Sequence, residues 1–218
     1  MIIKLNIRIL LIIAIVSALV VGQEKNSSPY ALSRGLNITI AGVSGGLLLG
    51  SMLIDYTPMD LSEIAVLKPG DVPDYDSRAI DNWNVGSIKM SDVLLFSSVA
   101  VPGLLMFDQE IRSDYRNFYF VWAQSFFLTL GFTNFIKVLV GRPRPYLYAN
   151  NASDDYKLKK DNRKSFFSGH TSISAVSWFL MASMYEDYKP GSNVLPYLWT
   201  SAFLVPAYTA YCLSLIHI

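Results

Sequence analysis

One stretch decides the fold, and it reads Y-F-V-W-A-Q-S-F-F-L-T-L-G-F-T-N-F-I-K-V-L-V-G-R-P-R-P from Tyr119 to Pro145. Its first part, Tyr119 to Val140, is apolar and long enough for a helix that crosses a bilayer, which needs about 20 residues. Its last part carries Lys137 close to the end of that helix, where a charge is costly and usually functional. The stretch therefore predicts a membrane helix that ends in a cationic turn.

Other apolar stretches extend this prediction to the whole chain. They are Leu36 to Ile54, Val93 to Phe107, Ser172 to Tyr185 and Val194 to Tyr211. The second and fourth of the five stretches are short and need flanking residues to span. The chain is 52% hydrophobic and 16% charged, whereas soluble domains carry about 25% charged residues. We expect an all-α membrane bundle of about five apolar helices, and five buried helices of a soluble protein are the alternative.

The N-terminus resembles a targeting segment. Lys4 and Arg8 precede the apolar run Ile9 to Val21, and Gly22 is a small residue at a plausible cleavage point. Such a run is short for a membrane span. Residues 1–22 are therefore expected to be a signal peptide or an uncleaved anchor, and the membrane domain is expected to cover 23–211.

Two polar segments separate the apolar stretches. Asp55 to Asp92 is acidic and contains Pro and Gly, so we expect a loop with a short helix near Leu61 to Leu67. Gly141 to His170 is basic, which is typical of either a cytoplasmic loop or an anion-binding site.

The composition excludes several partners and cofactors. A net charge of +1 gives no reason to expect nucleic acid. Cys212 is the single cysteine, and His170 and His217 are the only histidines, so no Cys/His zinc site is expected and no metal or other cofactor is implied.

The cationic turn K-V-L-V-G-R-P-R-P, Lys137 to Pro145, offers two kinds of phosphate ligand. Arg144 presents a planar fork of N–H donors that matches phosphate oxygens, while Lys137 supplies a compact point charge. We expect Pro143 and Pro145 to stop the helix and to hold Arg142 and Arg144 near one point.

A second segment, S-F-F-S-G-H-T-S, runs from Ser165 to Ser172, just before an apolar stretch. Ser168 and Gly169 lie where the first N–H groups of a helix point at an anion. His170 is able to donate a proton near neutral pH, as a general acid does. We expect the two segments to form one phosphate site, with His170 as its catalytic residue.

These segments resemble two motifs of the type 2 phosphatidic acid phosphatase family, which includes bacterial acid phosphatases and vanadium haloperoxidases. Lys137, Arg144 and Pro145 fall on the first motif, K-x6-R-P, and Ser168 to His170 on the second. Phe167 stands where the family's second motif normally begins with Pro. The resemblance covers Ser91 to Tyr211.

The family's third motif, S-R-x5-H-x3-D, is missing from this sequence. Cys212 and Leu213 stand at its Ser and Arg positions, and His217 lies four residues past the Arg position rather than six. We therefore assign no nucleophile in this chain. Residues 212–218 resemble a translated sequencing adapter, and we expect the gene to continue with the third motif and a sixth helix.

The resemblance implies a metal-independent hydrolase of membrane lipid or isoprenoid phosphates or diphosphates, acting through a phosphohistidine intermediate. A haloperoxidase-like vanadate enzyme and a non-catalytic protein that binds an anionic headgroup are the alternatives. The resemblance also implies that the protein lies in a bacterial inner membrane with the site facing the periplasm. A cleaved signal and five spans would instead place Gly141 to Thr171 in the cytoplasm, with which the charge rule mildly agrees.

A literal G-x-S-x-G occurs from Gly42 to Gly46, as in serine hydrolases. That motif requires a strand before it and a helix after it. Because it lies inside an apolar stretch, we instead expect Gly42, Gly46 and Gly50 to serve close helix packing.

Overall fold

The computed structural model describes residues 28–30, 33–54, 57–72, 77, 80, 85–149 and 154–215. In this part of the chain every regular element is helical, which confirms the all-α prediction. The expected signal peptide or anchor, residues 1–22, lies outside it. The α-helices are α1 (Arg34–Leu53), α2 (Leu61–Ala65), α3 (Val85–Ala100), α4 (Gln109–Ser113), α5 (Tyr115–Val140), α6 (Asp154–Lys157), α7 (Gly169–Tyr188) and α8 (Leu195–Ser214), and 3-10 turns occupy Pro69–Asp71, Val101–Phe107 and Pro145–Tyr148.

The five predicted apolar stretches correspond to α1, α3 with the 3-10 turn after it, α5, α7 and α8. Helix α7 lies at the centre and packs against α3, α5 and α8, while α1 packs against α5. Helices α3 and α7 run in the same direction, and α5 and α8 run against them. The starts of α3 and α7 and the ends of α5 and α8 therefore share one end of the bundle, called here the site end.

The opposite end of the bundle holds an apolar core and a buried carboxylate. The core is formed by Leu105, Ile111, Phe118, Met181, Met184 and Tyr188. Asp114, at the N-terminal cap of α5, accepts a hydrogen bond from the Tyr188 hydroxyl at 2.6 Å and one from the Asn117 amide at 2.8 Å. Because buried carboxylates are costly unless hydrogen-bonded, these bonds fix the end of α7 to the start of α5.

Three helical segments of the described chain are long and apolar enough to cross a membrane: Arg34–Leu53, Lys89–Phe107 and Tyr115–Tyr148. The short second stretch qualifies because flanking helical residues lengthen it. Helix α8 is not among these three segments. It has 20 residues, but its Tyr, Thr and Pro side chains lower its mean hydropathy. Large apolar side chains face outward: Phe96 is 70% exposed and Leu204 is 62% exposed. Such exposed apolar surface is typical of contact with lipid, and these features indicate a membrane protein.

Helix α1 meets α5 through glycine, although not through the glycines expected. A Cβ added to Gly42 or Gly46 would meet no atom within 4 Å. A Cβ on Gly131 of α5, by contrast, would lie 3.0 Å from the Ser44 carbonyl oxygen, and one on Gly50 would lie 3.1 Å from the Phe135 ring. The expectation of close packing is thus wrong for Gly42 and Gly46 and correct for Gly50. Ser44, the serine of the G-x-S-x-G match, lies inside α1 and not between a strand and a helix, so the match is not a serine-hydrolase motif.

Two loop segments pack on each other at the site end. The expected short helix is α2, which begins with a capping box: Asp60 accepts from the Glu63 N–H at 2.9 Å, and the Glu63 carboxylate accepts from the Asp60 N–H at 3.2 Å. Met59 and Ile64 from this segment form a small core with Tyr146 and Leu147 of the turn after α5. The segment around α2 therefore buttresses the cationic turn.

Candidate functional site

Lys137 lies one turn before the end of α5, as the sequence predicts. The helix ends where Gly141 adopts a left-handed conformation with φ 58°, and the Gly141 N–H donates to the Lys137 carbonyl at 3.1 Å. Glycine takes this conformation without a steric penalty. The prediction that Pro143 and Pro145 stop the helix is therefore wrong, because the helix has already ended before them and they shape only the turn that follows.

Arg144 is held from two sides. Its backbone N–H donates to the Asn162 carbonyl at 2.9 Å, and its Nε donates to the Asp161 carbonyl at 3.1 Å. Its Nη2 also contacts the Asp161 carboxylate at 2.5 Å. Arg142 lies half-buried on the same turn, and its carbonyl accepts from the Ser165 N–H at 3.2 Å. The turn after α5 is thus tied along its length to the segment that leads into α7.

Asn162 connects this segment to the loop before α2. Its side chain is fully buried. Its Oδ1 accepts from the Met59 N–H at 3.0 Å, while its Nδ2 donates to the Met59 carbonyl at 2.9 Å and to the Lys157 carbonyl at 3.0 Å. Because all of these partners are backbone groups, side-chain chemistry along the sequence gives no signal of them, and sequence reasoning missed Asn162.

Helix α7 begins as expected at the S-G-H segment. Ser168 is its N-cap and accepts from the Thr171 N–H at 3.3 Å, so the Ser168 hydroxyl serves the helix itself. Gly169 is the first helical residue, and a Cβ placed on it would lie 3.3 Å from the Lys137 Nζ. The ammonium group of α5 and the first turn of α7 therefore face each other at close range.

His170 makes a contact that the sequence analysis did not anticipate. Its Nε2 lies 2.9 Å from Oδ1 of Asp92 on α3, and both side chains are partly exposed. Such a carboxylate fixes the orientation of an imidazole ring. The available signal was an acidic residue at the very border of the apolar stretch Val93 to Phe107.

The charges of the two segments act on one another. Arg144, Asp161 and Lys164 all lie close enough to Lys137 to interact with it electrostatically. The structure therefore brings Lys137, Arg144 and the first turn of α7, with Gly169, together at the site end.

The cationic turn Lys137 to Pro145 and the segment Ser165 to Ser172 thus meet in one cationic site at the site end of the bundle. The family model of the PAP2 superfamily matches residues 118–217. The match supports membership of this part of the chain in the PAP2 superfamily. No curated protein and no solved structure matches the chain. Membership in the PAP2 superfamily indicates a phosphatase-type enzyme that acts on phosphate esters.

The end of α8 lies where the resemblance to PAP2 proteins places a third motif. Helix α8 runs back toward the site end, and Cys212 and Leu213 in its last turn are buried. A buried thiol and an isobutyl group offer no guanidinium to a phosphate. The described residues contain one histidine, His170, and His217 lies outside them.

The described residues contain no group of three or more His, Cys, Asp or Glu side chains that could hold a metal ion. Lys137, Arg144 and the N–H groups at the start of α7 supply positive charge at the site end.

Proposed function

We propose that the chain binds the phosphate or diphosphate group of a membrane lipid or isoprenoid and belongs to a metal-independent phosphatase. The observation that carries the proposal is the close approach of the Lys137 ammonium to the first turn of α7 at Gly169. A helix N-terminus supplies N–H donors and a partial positive charge, and a facing ammonium completes a cradle for an anion.

Arg144 adds the directional part of this cradle. A guanidinium binds two phosphate oxygens at once, which a point charge does not. Phosphoryl transfer depends chiefly on positioning and charge stabilisation, so such a cradle is chemically adequate for it. Arg142 and Ser168 are proposed to contribute through the backbone turns that they hold in place.

His170 is proposed to act as the general acid. In the reaction that the resemblance implies, a histidine nitrogen forms a P–N bond as the ester P–O bond breaks. The leaving oxygen takes the proton of His170, and water then hydrolyses the P–N bond. No residue of this chain is assigned the role of the nucleophilic histidine.

The position of the site supports the proposal of lipid substrates. The cradle lies at the ends of apolar helices, where a headgroup reaches it while the acyl or prenyl chain stays in the bilayer. We infer that the chain lies in a bacterial inner membrane with the site facing the periplasm. Reporter proteins fused at Asn150 and at Asp114 would test this orientation, because each is active on only one side of the membrane.

A second candidate function is binding of an anionic headgroup without turnover. It is favoured by Cys212 and Leu213, which stand where the third motif has Ser and Arg.

The two functions are separated by one set of measurements on the chain in detergent. We expect orthovanadate to bind, and Arg144→Lys to weaken that binding because bidentate contact is lost. Release of phosphate from lipid or prenyl phosphates that His170→Ala abolishes would establish the hydrolase, whereas binding without release would establish the second candidate. Hydrolysis of water-soluble esters alone would contradict the lipid substrate class, and failure of vanadate and phosphate to bind would contradict both functions.

A further inference from the structure

Asp161 occupies one side of the Arg144 guanidinium. The Asp161 carbonyl accepts from Nε, and its carboxylate accepts from Nη2. A guanidinium has five N–H donors in a planar fork. The two bonds to Asp161 use its Nε side and turn the end of the fork, formed by Nη1 and the other Nη2 donor, away from Asp161.

The Asp161 side of this contact is itself fixed. The Asp161 carbonyl also accepts from the Lys164 N–H at 3.0 Å, which closes a turn. The next residue, Asn162, is fully buried and bound through its side chain to Met59 and Lys157. Arg144 in turn is only 13% exposed, whereas the Asp161 side chain is 48% exposed. The loop before α2 thus stabilises the turn that contains Asp161 and Asn162, and this turn in turn fixes Arg144.

We propose that Asp161 is a positioning residue that aims the end of the Arg144 fork at the phosphate group. The inference rests on the proposed function, in which Arg144 is a phosphate ligand. A carboxylate beside an anion site looks unfavourable, because it repels the ligand. Fixing a long side chain in its binding orientation before the ligand arrives offsets this, since less conformational entropy is lost on binding.

The two effects of the Asp161 carboxylate have opposite signs, which makes the inference testable. If only charge matters, removing the carboxylate makes the site more positive and tightens anion binding. If orientation matters more, removing it weakens anion binding. Asp155, on α6 in the same basic segment, is an exposed acid whose removal provides a control for the loss of one negative charge from that segment.

The experiment measures the dissociation constant of orthovanadate for the full 218-residue chain in detergent. We expect Asp161→Ala to weaken binding about two- to five-fold, the range of a partly exposed ion pair. Asp161→Asn keeps a neutral acceptor for Nη2 and should restore part of the affinity. Asp155→Ala should leave the affinity unchanged or slightly increase it.

A double-mutant cycle then tests whether Asp161 acts through Arg144. In an Arg144→Lys background, where no fork remains to be aimed, only the charge effect is left, so Asp161→Ala should leave vanadate affinity unchanged or slightly increase it. An equal weakening in both backgrounds would show a general structural effect and overturn the inference, as would Asp161→Ala binding as tightly as the parent chain or more tightly. A parent chain that binds neither vanadate nor inorganic phosphate would overturn the proposed function itself, and the inference with it.

Discussion

Gly169→Ala separates the stability of the bundle from binding at the site. Gly169 is the first residue of α7 and has no positive φ, so alanine fits its backbone. Such a substitution stabilises a protein by about 0.4–1 kcal/mol by restricting the unfolded chain. The new methyl group, however, would lie 3.3 Å from the Lys137 Nζ and 3.8 Å from the Thr133 methyl group. Because carbon contacts are optimal near 3.5–4.0 Å, the ammonium must move by a few tenths of an ångström.

The expected cost to binding follows from the contact that is displaced. A hydrogen bond to a charged group contributes about 1.5–3 kcal/mol, so weakening one by half costs about 0.75–1.5 kcal/mol, or about four- to twelve-fold in affinity. We therefore expect Gly169→Ala to bind orthovanadate about four- to twelve-fold more weakly in calorimetric titration, with a thermal unfolding midpoint that is unchanged or higher.

Gly46→Ala serves as the control, because a Cβ there meets no atom within 4 Å. It should leave vanadate affinity unchanged. If Gly169→Ala binds vanadate as tightly as the parent chain, the anion does not lie between Lys137 and α7, and the cradle is refuted.

Three further predictions concern the bundle and the charge of the site. Gly131→Ala should lower the free energy of unfolding by about 1–3 kcal/mol, measured by denaturant titration in detergent, because the Ser44 backbone cannot move aside as a side chain would. Tyr188→Phe should cost about 1–3 kcal/mol in the same assay, since Asp114 is buried and loses its hydroxyl donor; an unchanged value would contradict either prediction. Chelator should leave vanadate affinity unchanged, and a loss that magnesium restores would contradict a metal-independent cradle.

Much of the fold could be predicted from the sequence because hydrophobic composition and length suffice to find apolar helices. The boundaries were less accurate where polar residues continue a helix. Helix α3 starts at Val85, well before the apolar stretch that begins at Val93, because a membrane helix extends into the polar region as long as its backbone is satisfied. The start of α7 at Gly169, by contrast, was predicted, because the N-cap residue Ser168 is visible in the S-G-H segment.

Only part of the candidate site could be predicted from the sequence. Lys137, Arg144 and the S-G-H segment are visible because their chemistry lies in their own side chains. Asp92 and Asp161 contribute through contacts with His170 and Arg144, and Asn162 through backbone groups that are distant in sequence. Such contacts depend on how the loops fold back, and no local spacing in the sequence encodes them.

These acidic partners change how the charge of the site should be understood. The sequence suggests a site that attracts phosphate by an excess of cations, yet both Arg144 and His170 carry a carboxylate within hydrogen-bond distance. Part of the positive charge is therefore already neutralised by the protein. An anion gains less from long-range attraction at such a site and more from donors held in fixed directions, because charge-assisted hydrogen bonds depend on geometry. For the proposed anion site, we therefore expect the orientation of Arg144 and His170 to affect binding more than the net charge does.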